Sequence, residues 1–132
     1  MDTMEKTTLV EHVGAFNAAC PTRLILNRIA DKWTVLVMIL LESETKRFSH
    51  LQGEIGGISQ KILTQTLRGL DRDGLVTRTV YATVPPKVKY ALTPLGHTLK
   101  DLLYAIKTWS EKHINAVQAA QNNYVKLHTN LS

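Results

Sequence analysis

Two groups of residues in this 132-residue chain have types and spacings that could do chemistry. The first is Ser59, Gln60, Lys61, Thr64, Gln65 and Arg68, interleaved with Ile62, Leu63, Leu67 and Leu70. On a helix the apolar four fall on one side and the polar set largely on the other. Gln60 and Gln65 can each offer adenine a donor and an acceptor together, and Arg68 can fork onto guanine or a phosphate. Lys61 better suits phosphate. Lys87 and Lys89 flank Val88, so both project from one side of an extended segment, where Arg78 can join them. Arg47 is a further phosphate candidate. The second group is a single thiol. Cys20 stands directly before Pro21 with Arg23 a turn inside, so helix N-terminal N–H groups and a nearby cation can stabilise its reactive thiolate. The competing reading, which the residues alone favour, is a small inert side chain packed between two helices.

Other chemistries lack their residues. His12, His50, His97, His113 and His128 show no paired ligand spacing with one another or with Cys20, so neither a metal nor a cofactor is expected. No G-x-S-x-G, Walker loop, HExxH or dinucleotide fingerprint occurs, and Asp71 and Asp73 stand beside basic residues at a helix end. Enzymatic activity is not expected. One cysteine excludes an internal disulfide. Aromatic residues make up 6% of the chain and are scarce among the basic ones, which disfavours a base-stacking RNA binder. The longest apolar run, Trp33 to Leu41, is far short of the ~20 residues that span a bilayer. Met1 to Lys6 lacks a basic n-region followed by an apolar stretch, so a cytoplasmic location without membrane contact is expected.

Charge points the same way as the polar helix face. The net charge is +5, yet residues 1–58 carry six basic against seven acidic side chains. Residues 59–100 carry seven basic against two acidic, so the whole excess sits in the middle third. Positive charge concentrated in this way is the footprint of a polyanion partner.

The elements that must position these residues follow from caps and periodicity. No linker divides the chain, so 1–132 is expected to be one domain. Residues 1–19 can form an amphipathic helix through Leu9, Val13 and Phe16; Cys20-Pro21 interrupts it and Pro21 starts a second. Asp31 caps Lys32 to Leu41, which is read as a helix buried on all sides, although its β-branched residues also allow a strand. Ser49 caps a short helix, Gly56-Gly57 breaks it, and Ser59 caps a second that stops at Gly74. Two short helices joined by a glycine turn make a helix-turn-helix. Alternation from Leu75 to Tyr81, a Val84-Pro85-Pro86 tip and a return strand from Val88 to Leu92 make a hairpin. Thr93-Pro94 then starts a long helix striped by Leu95, Leu99, Leu102, Leu103, Ile106, Trp109, Ile114 and Val117, with a tail expected to fray from Gln121. Arg72, beside Asp71 and Asp73 near the helix end, is expected to be a local ion-pair or helix-dipole partner rather than a base reader. The fold class is mainly α with a small β-hairpin, a winged helix-turn-helix.

The ordered motifs resemble the HxlR-type regulators, a winged-helix group related in architecture to MarR-type proteins. The resemblance rests on Cys20-Pro21, Asp31-Lys32-Trp33, Arg47-Phe48-Ser49-His50-Leu51 and Gly57 through Gln65. It continues through Leu67-Arg68, Asp73-Gly74-Leu75-Val76, Val84 through Tyr90, Leu92-Thr93 and Leu95-Gly96, and covers roughly residues 20–110. Ala30 departs modestly from the glycine expected before Asp31-Lys32-Trp33. The resemblance implies a homodimer joined through N-terminal (1–19) and C-terminal (94–120) helices, with residues 49–92 as helix-turn-helix and wing. It implies that the helix from Ser59 to Asp73 enters the major groove of a double-stranded operator while the hairpin reaches neighbouring backbone or minor groove. Several members use a cysteine in this N-terminal region to sense oxidants, quinones or other electrophiles. The expected function is therefore a sequence-specific, DNA-binding transcriptional repressor, with a small oxidant or electrophile acting through Cys20 as inducer. Two alternatives stand beside it, a winged-helix protein-interaction module and a small-molecule-binding dimer with a cavity near Trp109.

Overall fold

In a computed structural model of the chain, which describes residues 16–130, proline and aspartate set the first two helix starts. Pro21 is the N-cap of α1 (Thr22–Ala30). The Asp31 carboxylate accepts from the Trp33 N–H at 2.9 Å and begins α2 (Lys32–Ser43). Such a cap satisfies one of the N–H groups that a helix start leaves without a partner. The helix expected over 1–19 lies outside the described residues except for Phe16 to Ala19, which form turns. α2 is helical as read, but only Thr34, Val37, Met38 and Leu41 are buried, while Leu36 is exposed. The expectation of burial on all sides is thus corrected, because the neighbouring helices leave one side of α2 open.

Lys46–Arg47 forms β1, an element two residues long that leaves no periodic signal. α3 (Phe48–Glu54) follows with Arg47 at its N-cap, so the helix starts ahead of Ser49, the expected cap. The Lys46 ammonium anchors this corner, bonded to Glu54 at 3.1 Å and to Glu44 at 3.3 Å. Its hydrogen bond to Glu54 raises the Lys46 pKa above the ordinary value, against an opposing effect of burial. Gly57, at φ +81°, turns the chain into α4 (Gln60–Arg72).

α4 ends by the mechanism its sequence predicts. Gly74 adopts φ +74°, its N–H donates to the Asp71 carbonyl at 3.1 Å, and the Leu75 N–H donates to the Leu70 carbonyl at 2.9 Å. This is a Schellman closure, with Leu70 and Leu75 both buried beneath it. The chain leaves directly into β2 (Val76–Tyr81), and an exposed turn over 82–86 returns it as β3 (Lys87–Leu92). The antiparallel sheet has the order β1-β3-β2, with Val76 opposite Leu92 and Tyr81 opposite Lys87.

The single helix expected from Pro94 is two. α5 (Pro94–His97) is capped by Thr93, whose Oγ1 accepts from the Gly96 N–H at 3.0 Å and donates to the Gly74 carbonyl at 2.6 Å. Gly96 lies so close to the Leu75 carbonyl that a Cβ would collide with it. This contact holds the short helix under the hairpin, and the chain turns at Thr98 and Leu99 before α6 (Lys100–Asn130). The tail expected to fray from Gln121 is helical to Asn130, with Tyr124 and His128 stacked one turn apart. The core gathers Val37 and Met38 of α2, Leu51 of α3, Leu63, Leu67 and Leu70 of α4, and Leu103 of α6.

Candidate nucleic-acid interface

The first turn of α4 carries no acidic side chain, so its N–H groups remain unneutralised. Ser59 Oγ accepts from the Ile62 N–H at 3.1 Å, which leaves the hydroxyl proton available to an acceptor outside the helix. The remaining partial positive charge suits a phosphate oxygen. Leu63, Thr66, Leu67, Gly69 and Leu70 are buried, and that burial turns Gln60, Lys61, Gln65 and Arg68 outward with Thr64 half-buried between them. Ser59 and these five side chains line one open groove of about 600 Å³. The polar set read from the spacing is therefore one continuous surface.

A cleft of about 590 Å³ connects this surface to the hairpin. Gln60, Thr64, Arg68 and Asp71 of α4 form one wall, and Arg78, Val88 and Tyr90 belong to the other. Phe48, from the start of α3, also lines it. Arg68 and Arg78 thus face the same space from a helix and a strand, a pair of forked donors suited to one phosphodiester strand. Asp71, Phe48 and Tyr90 were not anticipated at this site. Phe48 and Tyr90 carry no polar pattern to mark them, and Asp71 reads in sequence as a local partner of Arg72.

Strand register separates the hairpin cations. Directly opposed residues share a sheet face, and successive residues alternate. Lys89 lies opposite Thr79 on β2 and Arg47 on β1, while Lys87 lies opposite Tyr81. Lys87, Lys89 and Arg47 therefore share the face turned away from the core. Arg78 lies opposite Tyr90 and belongs to the other face, with α4. The expectation that Arg78 joins the two lysines is corrected; it joins Arg68. Lys89 Nζ also stands 5.5 Å from the centre of the Tyr81 ring.

Arg47 and Lys89 are like charges placed directly opposite each other. Such a pair costs stability in the isolated protein, and an anion bridging both would relieve the repulsion. Arg72 stands in the last turn of α4, where the dipole role expected for it fits, while the ion pair with Asp73 falls to another residue. The partner of Asp73 is Arg28 in the last turn of α1, with Nε to Oδ2 at 2.5 Å.

Cys20 is half-buried just ahead of α1 and is a free thiol. Hydrogen bonding from the Thr22 hydroxyl and backbone N–H lowers its pKa below the ordinary thiol value, and the Arg23 charge adds to the effect. Leu24, Ile25 and Leu26 of α1 are exposed, as are Leu102, Ile106, Trp109, Ile114 and Val117 of α6. Between the two helices and α2 runs an apolar groove of about 620 Å³, lined by Leu26, Val35, Leu36 and Ile106 among others, though not by Trp109. Among the described residues, no group of three or more His, Cys, Asp or Glu could hold a metal. No described helix is long and apolar enough to cross a membrane.

Comparison with known proteins places these features in a family context. The profile of the HxlR-like helix-turn-helix family matches residues 28–118. The helix-turn-helix transcriptional regulator YtfH of Escherichia coli is 39% identical over 107 residues, covering 81% of this chain and 85% of that protein. The solved structure of the ytfH transcriptional regulator from Salmonella typhimurium is similar with a TM-score of 0.76 at 39% identity, over 81% of this chain and 96% of that one. The redox regulator HypR in its oxidised form is similar with a TM-score of 0.66 at 39% identity, over 70% of this chain and 96% of that one.

Proposed function

The chain belongs to the HxlR-like helix-turn-helix family and is a transcriptional regulator with a helix-turn-helix DNA-binding domain; from that premise we propose that it is a dimeric operator-binding repressor. Its relatives are transcriptional regulators, a non-enzymatic class. Residues 1–132 form one winged-helix domain in this proposal, acting in the cytoplasm. Two copies pair through the N-terminal segment 1–19 and the C-terminal helix, whose exposed apolar residues need a partner. Each 49–92 unit then presents α4 to one major-groove half-site.

The roles divide by chemistry. Gln60, Gln65, Thr64 and Arg68 meet base edges, with Arg68 also within reach of a phosphate across the cleft from Arg78. Ser59, Lys61 and the α4 N-terminus hold one backbone segment. Arg47, Lys87 and Lys89 hold another, reached by the hairpin. The observation that carries this reading is the direct opposition of Arg47 and Lys89, an arrangement that favours anion binding over stability.

Cys20 is the proposed response group. Its lowered pKa gives it more thiolate at any given pH than an unperturbed cysteine, and its place before α1 sets it at the exposed apolar surface assigned to dimerisation. Attack on an electrophile, or oxidation, there would change the angle between two α4 helices. Similarity to the redox regulator HypR supports this role.

The test uses a duplex selected from a random library by the wild-type protein. Arg68→Glu and Lys61→Glu, checked for an unchanged helical spectrum and melting temperature, should each abolish or greatly reduce binding. Retained binding by folded variants would favour the protein-interaction alternative.

A further inference from the structure

α1 buries none of its residues, yet one side chain ties it to the DNA-reading helix. Arg28, in the last turn of α1, crosses to the C-terminal end of α4. There its Nε reaches Asp73 Oδ2 at 2.5 Å, with both side chains largely shielded from solvent. Its guanidinium also lies over Gly69. A Cβ built on Gly69 would fall 2.7 Å from Arg28 Cζ, so any larger residue would force the group aside. Gly69 is therefore not a tolerated weakness in a helix interior but the space that the guanidinium fills. The chemistry of this end explains the need. Asp71 and Asp73 place negative charge where the helix already carries its negative pole; Arg72 stands in the same turn, and Arg28 adds the cation bonded to Asp73.

We propose that Arg28, Gly69 and Asp73 form a clasp that positions α4 for sequence reading, Arg28 acting as a positioning residue that does not itself touch DNA. The proposal rests on the operator-binding reading and adds to it a route between two surfaces. α1, which Cys20 precedes and whose Leu24, Ile25 and Leu26 are exposed, is joined by this arginine to the helix that enters the groove. A displacement of α1 is passed to the far end of α4, while the near end stays fixed by the Ser59 cap.

The experiment compares Arg28→Ala, Gly69→Ala and the double variant. Each is measured for affinity toward the library-selected duplex and toward a scrambled duplex of equal length and composition, across a salt series. The affinity ratio between the two duplexes should fall about three- to thirtyfold in each single variant. The double variant should lose no more than Arg28→Ala. Gly69→Ala is the sharper arm, since alanine in a helix otherwise stabilises. The slope of log affinity against log salt should stay that of wild type.

A slope less negative by about one per Arg28 would make this residue a phosphate contact and overturn the clasp. A retained ratio in both single variants, or losses that add in the double, would also overturn it. If the wild-type protein fails to distinguish the two duplexes, the operator-binding reading fails. Amide hydrogen exchange then decides the clasp separately: Arg28→Ala should speed exchange over Gly69 to Gly74 with the Leu63 and Leu67 amides unchanged. Unaltered protection at Gly69 to Gly74 would refute it.

Discussion

Replacing Lys89 with glutamine should weaken DNA binding while leaving the isolated protein as stable as before. Lys89 faces Arg47 across β1 and β3, and removing one of two directly opposed like charges returns about 0.2–1 kcal/mol. The variant also loses the contact of the ammonium with the Tyr81 ring, worth about 0.5 kcal/mol at such a site. The two effects nearly cancel, so urea unfolding should shift by less than about 0.5 kcal/mol in either direction. Binding should respond very differently. Each phosphate contact contributes about −0.9 to the slope of log affinity against log salt, and a dimer contains two copies, so the slope should become less negative by about 1.8. Over a fourfold rise in salt that amounts to roughly a twelvefold smaller loss of affinity than in wild type. Filter binding or fluorescence anisotropy with the library-selected duplex, read across a salt series, measures the slope. An unchanged slope, or a stability loss beyond 1 kcal/mol, would refute the assignment of this cation to the DNA backbone.

Gly96→Ala should destabilise the fold by about 1–3 kcal/mol, since the new Cβ meets the Leu75 carbonyl rather than a flexible side chain. Thermal unfolding measures it, and an unchanged midpoint would show that the hairpin base yields easily. Ser59→Ala should cost about 1 kcal/mol by leaving the Ile62 N–H without its acceptor. It should also lower duplex affinity, and a loss of stability alone would confine Ser59 to capping. The lowered pKa of Cys20 means that its thiolate forms at lower pH than that of an unperturbed cysteine, whose ordinary value is 9.0. Iodoacetamide alkylation should therefore rise with pH to a midpoint below that value, and Thr22→Val should move the midpoint upward. No movement would remove the Thr22 hydroxyl as its cause.

Local chemistry made much of this fold legible. The Ser59 cap, the Gly74 closure and the apolar spacing along α4 are decided within a few residues, and the groove-facing polar set follows from them. Features set by distant partners were harder to see. Lys46 belongs to a strand of two residues whose place depends on Tyr90 opposite and on Glu54 in the next helix. Arg28 lies beside Leu24 and Ile25 on the surface of a short helix, and nothing in its neighbours marks Asp73 as its partner 45 residues away. The face of Arg78 is a different case. Val76 and Leu92 share one parity with Arg78 and Tyr90, so the alternation already separated this arginine from Lys87 and Lys89. α6 runs past Gln121 because the helix propensity of its alanines and glutamines and the pairing of Tyr124 with His128 outweigh a polar composition that suggests fraying.

Guanine methylation interference on the library-selected duplex probes most directly whether α4 reads a major groove. Methyl groups at N7 project into that groove, so they should block binding in two patches about 34–36 Å apart, matching two copies of α4 in a symmetric pair. Interference confined to adenine N3 in the minor groove, or none at either edge while binding persists, would contradict the account.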